Sequence, residues 1–329
     1  MTLTHKLQDW FIINQRTLPF RLDKDPYRVW ISEIMAQQTQ IDTMIPYYER
    51  WMSKWPTIET LSRAPEQELL KAWEGLGYYT RVRNIHKAAQ LLSQNNYSFP
   101  KSLDEIRSLP GIGPYTASAI ASICFETKSV AIDGNVNRVV SRLYEFEDEL
   151  GSPALLNKVT EKMEEWMSLA TPSIFTQAMM ELGALICTPK NPKCEDCPLR
   201  QDCLSYKNQS TQDYPKKKLT KKKPELRKTI LFMRHKNLLA LTQDHQDTLM
   251  KGYWRFPEVK DIPIDALLVG SHHHVFTHLI WDLDFYLLES QKNSDYQWFS
   301  SDEIEALPLI TAHRVFFDKT KTRIFSSES

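Results

Sequence analysis

The chain has 329 residues, 42% of them hydrophobic, which is enough for two domains with real cores. Its 41 basic and 41 acidic side chains cancel, so bulk charge does not point to nucleic acid, although a local basic patch could still meet it. Met1 to Trp10 lacks the apolar core of a signal peptide and no apolar run approaches membrane length, so a soluble, cytoplasmic protein with no membrane contact is expected.

Residues 1–206 read as almost entirely helical. The pattern predicts helices over His5 to Gln15, over Tyr27 to Gln38 behind an Asp25-Pro26 cap, over Ile41 to Trp55 and over Tyr79 to Gln94. Short helices are expected near Ile58 to Leu61 and Glu66 to Trp73, with Gly75-Leu76-Gly77 breaking the chain after them. Ser102 to Ser108 leads into Leu109-Pro110-Gly111-Ile112-Gly113-Pro114-Tyr115, which reads as helix end, glycine turn and new helix. Gly111 and Gly113 are expected at positive φ, and Pro114 fits a first helical turn. Such a turn leaves N–H groups beside a helix N-terminus, where a phosphate can sit. Asp133, before Gly134, opens the next helix, and a carboxylate stays ionised easily there. Taken alone, the turn could be only a turn and Asp133 only a cap. Two more helices are predicted, from Ser152-Pro153 to Leu169 and from Pro172 to Ile186.

Four of the five cysteines then cluster as Cys187-x6-Cys194-x2-Cys197-x5-Cys203. In an intracellular protein such a set suggests a metal site rather than disulfides. Four thiolates can hold tetrahedral zinc or a [4Fe–4S] cluster. Residues 207–224, with Lys216-Lys217-Lys218 and Lys221-Lys222-Lys223, have no apolar period and read as a solvated linker. Residues 225–329 are predicted to be α+β. Strands are expected over Thr229 to Met233, Leu238 to Thr242 and Leu279 to Leu288, and helices over Ser301 to Leu307 and Thr311 to Lys319. His272 to His278 reads as a loop whose close histidines have no cysteine or carboxylate to complete a metal site.

The cysteine spacing resembles that of the endonuclease III and MutY glycosylases, in which the ligands hold [4Fe–4S]. Further motifs narrow the resemblance: Leu18-Pro19-Phe20-Arg21, Trp30 through Thr39, Trp73-Glu74-Gly75-Leu76-Gly77-Tyr78-Tyr79, the glycine turn, and Val130 to Val139. Together they resemble the adenine DNA glycosylase (MutY) family of the helix-hairpin-helix glycosylase superfamily. The resemblance implies a mostly α helix-hairpin-helix glycosylase domain with a [4Fe–4S] cluster loop over 1–206, a Lys-rich linker over 207–224, and an α+β Nudix-like domain over 225–329. Thirteen residues separate Pro257 from Ser271, and they lack the glutamate-rich pattern of a Nudix hydrolase. The second domain is therefore expected to recognise DNA rather than hydrolyse pyrophosphate.

The family carries over residue by residue. Lyase relatives have a lysine where Tyr115 stands, and a phenol cannot form a Schiff base, so a monofunctional enzyme is expected. Glu33 would protonate the departing adenine, with burial raising its pKa, while an anionic Asp133 stabilises the sugar cation. Tyr115 and Asn135 match residues near the acid and the sugar. Gln38 and Tyr78 match residues that wedge into the duplex, Thr39 and Leu76 residues around the opposite base, and Arg21 a residue near the flipped adenine. Helix-end packing would equally account for Leu76. Gly111 and Gly113 would cradle phosphate, and Thr277 and His278 would contact base or phosphate. The expected partner is double-stranded DNA holding adenine opposite 8-oxoguanine or guanine, met by a monomer associated with the nucleoid. The rival readings are a thymine or uracil mismatch glycosylase of the same superfamily and a non-catalytic iron-sulfur DNA-binding protein.

Overall fold

The computed structural model describes residues 2–217, 222–244, 250–276 and 279–326. They form two compact units. The first comprises 1–62 and 87–220, the second 63–86 and 221–329. In chain order the helices are α1 (Leu3–Asn14), α2 (Pro26–Ala36), α3 (Ile41–Lys54), α4 (Ile58–Ser62), α5 (Glu66–Trp73), α6 (Thr80–Ser93), α7 (Leu103–Ser108), α8 (Pro114–Phe125), α9 (Gly134–Tyr144), α10 (Pro153–Ser168), α11 (Pro172–Leu185) and the short α12 (Leu204–Lys207). Strands β1 (Glu225–His235), β2 (Leu238–Gln243), β3 (Trp254–Arg255), β4 (Glu258–Val259), β5 (Leu267–Val275), β6 (Ile280–Glu289) and β7 (Gln297–Phe299) follow, then α13 (Ser301–Ala306) and α14 (Thr311–Phe325). Among the described residues no helix is long and apolar enough to cross a membrane.

The first unit is built around α11, which packs against α1, α8 and α9. On α9, Val136, Val139, Val140 and Leu143 fall at i, i+3, i+4 and i+7 and are all buried. They meet Phe175, Ala178, Met179 and Leu182 of α11 and Leu155, Val159 and Met163 of α10 in one core. Each large side chain so buried contributes about 1.5–3 kcal/mol. Side-chain caps set where the helices begin. Asp25, Ser102, Asp133 and Ser152 each accept an N–H from the first turn they precede.

The second unit holds a mixed sheet in the order β3-β2-β1-β6-β5, with β4 on β1 and β7 on β2. Strands β1 and β6 run parallel, placing Ile230 opposite Phe285, and the other pairings are antiparallel. One sheet face carries Phe232 and Phe285, which stack with Phe316 of α14. His313 lies in this core, accepts the Phe256 N–H at 3.1 Å, and is pushed down to about 3 by burial, so it is neutral.

Three predicted features differ. Residues 63–86 group with the second unit because Tyr253 donates to the Leu70 carbonyl at 2.8 Å and Arg314 pairs with Glu74 at 2.8 Å. The opening residues of the expected linker are packed into the first unit. There Tyr214 is buried, its carbonyl accepts from Arg142, and the Lys216 carbonyl accepts from the Leu150 N–H. His272, His273 and His274 lie in strand β5, not a loop. Their ladder with β6 is regular apart from an irregularity at Leu268–Gly270, and the strand's histidines alternate between faces.

Candidate active site and iron-sulfur pocket

A cleft of about 920 Å³ opens in the first unit, lined by Arg16, Arg21, Glu33, Tyr115, Asp133 and Asn135 among others. That size falls in the range of about 300–1,000 Å³ typical of ligand sites. Glu33 projects from the C-terminal half of α2. The Tyr115 hydroxyl, at the second position of α8, donates to its Oε2 at 2.8 Å. Burial pushes the Glu33 carboxyl up to about 7; the Tyr115 hydrogen bond opposes this, and the negative charge of Asp133 adds to it. Burial and the neighbouring Glu33 together raise Tyr115 well above the usual phenol range.

Asp133 is the N-cap of α9 and also lines the cleft, so the cap and the site are one residue. Its Oδ1 accepts the Val136 N–H at 2.7 Å and its Oδ2 accepts from Asn135 Nδ2 at 2.8 Å. Two donors therefore hold both oxygens of this carboxyl group in place. Asn135 is held in turn, because its Oδ1 accepts from Arg138 Nη2 at 2.7 Å. The same Arg138 donates to the Gly183 carbonyl at 2.8 Å and to the Cys187 carbonyl at 2.7 Å. A hydrogen-bonded chain therefore runs from the carboxylate to the backbone of the cysteine loop.

Sequence reasoning missed Arg138, and it missed Glu181. Glu181 is 1% exposed on α11, where Arg16 pairs with it at 2.8 Å and Arg21 at 2.9 Å. Burial alone would raise this carboxyl, but the hydrogen bonds from Arg16 and Arg21 bring it down to about 2. Nη1 of Arg21 is buried without a hydrogen-bond partner on the cleft wall. Glu181, the only charged residue in the run Ile174 to Leu185, was the available signal, since a buried charge requires partners.

Gly111 has φ 79, as expected, but Gly113 does not adopt positive φ. It is the extended N-cap of α8, at φ −86 and ψ 178. A Cβ added at Gly113 would meet nothing within 4 Å, so a ligand can approach that backbone closely. The first-turn N–H groups of α8 have no intrahelical acceptor and suit an anion. Gln38 and Thr39 line the cleft just past the end of α2, and Gln38 has φ 58. Leu76 and Tyr78 belong to the second unit. Leu76 is buried, its carbonyl accepting from Arg81 at 2.8 Å; Tyr78 is exposed at φ 47 with the Arg81 guanidinium over its ring. Thr277 and His278 lie outside the described residues.

Cys187, Cys194, Cys197 and Cys203 line one pocket beside Leu182, Leu199 and Tyr206. Among the described residues no three His, Cys, Asp or Glu groups gather as they would around a single ion. Four cysteine thiols lining one pocket are a donor set that fits a [4Fe–4S] cluster. Burial pushes Cys197 up to about 12 and raises Cys194 and Cys203, so metal must displace their protons. Arg142 donates to Cys187 Sγ at 3.3 Å and to the Thr188 carbonyl at 2.8 Å, setting a positive charge beside the sulfur.

The comparisons with known proteins agree with this geometry. Residues 31–168 match the HhH-GPD superfamily of base excision DNA repair proteins, 187–203 the iron-sulfur binding domain of endonuclease III, and 229–319 a NUDIX domain. The adenine DNA glycosylase of Buchnera aphidicola subsp. Baizongia pistaciae (strain Bp) is 42% identical over 252 residues, covering 74% of this chain and 70% of that one. A trapped endonuclease III–DNA covalent intermediate, an estranged-adenine complex, superposes with a TM-score of 0.51 at 26% identity, over 64% of this chain and 99% of that one. A thermostable thymine-DNA glycosylase reaches a TM-score of 0.54 at 24% identity over 62% of this chain and 95% of that one, a likeness of fold alone. The chain belongs to the adenine DNA glycosylase family, whose members are hydrolases of N-glycosyl bonds in DNA, and it carries a [4Fe–4S] cluster.

Proposed function

We propose that this enzyme removes adenine paired with 8-oxoguanine or guanine, acting as a monofunctional glycosylase and as a monomer on nucleoid DNA in the cytoplasm. The observation that carries the proposal is the Glu33–Tyr115–Asp133 constellation. One cleft holds a carboxyl pushed up to about 7 and a second carboxylate fixed by hydrogen bonds at a helix N-terminus. Adenine is a poor leaving anion, and Glu33 supplies the proton at N7 as the N-glycosyl bond stretches. Asp133, oriented by Asn135, stands under the developing sugar cation. Tyr115 fixes the Glu33 carboxyl and offers no amine, so the strand remains uncut after base loss.

Reaching the bond requires the nucleotide outside the stack. Gly111, Gly113 and the N-terminus of α8 grip a phosphate of the lesion strand, and Gln38 and Tyr78 fill the gap. Thr39 and Leu76 match residues around the opposite base. Arg21, with its unmatched buried nitrogen on the cleft wall, meets the extruded adenine. Thr277 and His278 of the Nudix-like region contact base or phosphate. Cys187, Cys194, Cys197 and Cys203 ligate the cluster, which holds the basic loop Pro189 to Lys193 in place for the DNA backbone and has no role in bond breaking.

The test uses a duplex with adenine opposite 8-oxoguanine. Free adenine should appear without strand scission, scission should follow alkali, and Glu33→Gln should abolish release. A thymine:guanine duplex processed in its place would transfer the reading to the mismatch glycosylases. Release by Glu33→Gln at the wild-type rate would remove the acid role.

A further inference from the structure

The first turn of α8 sends two adjacent side chains to α2, where they land one helical turn apart. Tyr115 donates to Glu33 at 2.8 Å, and Thr116 Oγ1 accepts from Gln37 Nε2 at 3.2 Å. Glu33 and Gln37 are i, i+4 neighbours and so share a face of α2. Gln37 stands where that helix ends, with φ −57 and ψ 112, and Gln38 follows in left-handed backbone. That conformation is unfavourable for glutamine and must be held by its surroundings. Within the turn, the Thr39 N–H bonds the Ala36 carbonyl at 3.1 Å and Thr39 Oγ1 the Gln37 carbonyl at 3.4 Å. The Gln37–Thr116 bond fixes the turn to a different element, the helix whose N-terminus forms the hairpin. Thr116 is 1% exposed, so its hydroxyl is cut off from water and depends on protein partners.

We infer that Gln37 and Thr116 are positioning residues that couple the hairpin's grip on the lesion strand to the placement of Gln38 in the emptied stack. The inference rests on the base-flipping reading above. A phosphate seated at Gly111–Gly113 locates the first turn of α8. Tyr115 passes that location to the acid and Thr116 passes it to the wedge turn. Only two residues separate Gly113 from Thr116, so grip, acid and wedge keep a common frame while the nucleotide rotates out. The acid alone would not set the wedge, because α2 ends between them and the chain is no longer helical at Gln38.

The test uses the full, cluster-loaded chain and the variants Thr116→Val, Thr116→Ser, Gln37→Met and the Val/Met double. Extrusion is read from the fluorescence of 2-aminopurine at the target position in a Glu33→Gln background, and release from single-turnover kinetics with Glu33 intact. Affinity for undamaged duplex and melting temperature are measured alongside. Loss of a positioning contact of this kind should slow extrusion and release together by about 10- to 100-fold. Affinity for undamaged duplex should hold, Thr116→Ser should restore most of the rate, and the double variant should be no slower than either single one because both lose the same bond. Wild-type extrusion in Thr116→Val and Gln37→Met overturns the inference. So does a serine variant as slow as valine, or a double variant slower by the product of the singles. Gln37 is half-buried on the cleft wall, so Gln37→Met carries the test if Thr116→Val does not fold. A wild-type protein that extrudes the base but releases no adenine would sink the parent reading and leave the extrusion comparison intact.

Discussion

Gly183 offers the sharpest single-atom test of the site. A methyl placed on it would lie 2.5 Å from Asn135 Cβ and 3.2 Å from Asn135 Cα. Carbon atoms pack at about 3.5–4.0 Å, so α11 and α9 must separate, or Asn135 must move, by about 1 Å. Asn135 carries Asp133 through its Nδ2 at 2.8 Å, and the Gly183 carbonyl holds Arg138, which holds Asn135 from the other side. The displacement therefore arrives at the carboxylate. A shift of about 1 Å in a positioned group can cost on the order of 100-fold in rate, so Gly183→Ala should lower single-turnover adenine release by about 10- to 100-fold. Stability should change much less. Overpacking costs about 1–3 kcal/mol, and alanine regains about 1 kcal/mol as the better helix former. The net loss of about 0–2 kcal/mol corresponds to a fall of no more than about 8 °C in melting temperature. Rapid-quench release and thermal melts on the same iron-loaded preparation separate the two effects. A folded Gly183→Ala protein releasing adenine at the wild-type rate would refute the reasoning.

In the proposed acid role Glu33 acts protonated, so single-turnover release should hold below pH 7 and fall as pH rises past about 7, the value to which burial lifts this carboxyl. The same shift adds stability that is complete below the ordinary carboxylate range and lost as pH rises through about 7, so wild type should lose melting temperature relative to Glu33→Gln between pH 5 and pH 8. Glu181 has the opposite sign: held down to about 2, it stabilises above the ordinary carboxylate range and fails as pH falls through about 2. Glu181→Gln strands two guanidinium groups and should cost about 3–5 kcal/mol in urea unfolding at pH 7. Cys197→Ser should lose iron and inorganic sulfide in stoichiometric assay, whereas Cys124→Ser, outside the pocket, should retain both.

Much of the fold was legible because local rules and tertiary needs coincide. The caps at Asp25, Ser102, Asp133 and Ser152 begin the helices that periodicity outlined. The cysteine spacing foretold one shared pocket. What escaped depends on partners far away in sequence. Glu181 reads as a stray charge until Arg16 and Arg21, more than 150 residues earlier, close on it. Gly183 reads as a weak point in a helix until Asn135 is seen against it. Strand β5 was hidden because Gly270 and three histidines spoil any apolar alternation, and only its pairing with β6 makes it a strand. Lys216 reads as linker by charge, yet its carbonyl and its ammonium group both find partners in the first unit.

The two carboxylates show why a residue list does not amount to a mechanism. Glutamate and aspartate have nearly the same acidity in water, and here they line the same cleft. Their surroundings differ: burial raises the Glu33 carboxyl, whereas Asp133 caps a helix. Asp133 stands outside the first turn of α9, where the free N–H groups point at it and one bonds it. Glu33 stands in the last turns of α2, half-buried on the cleft wall, where burial disfavours its charged form. Each then reinforces the other's state. A negative Asp133 makes ionisation of Glu33 harder, and a neutral Glu33 leaves the charge of Asp133 unopposed where a sugar cation would form. Exchanging the two side chains would keep both carboxyl groups and lose the arrangement, since a glutamate at the cap reaches past the Val136 N–H and an aspartate at position 33 stops short of Tyr115. In the proposed mechanism the chemistry therefore resides in the surroundings of each acid, which Tyr115, Asn135 and Arg138 hold in place.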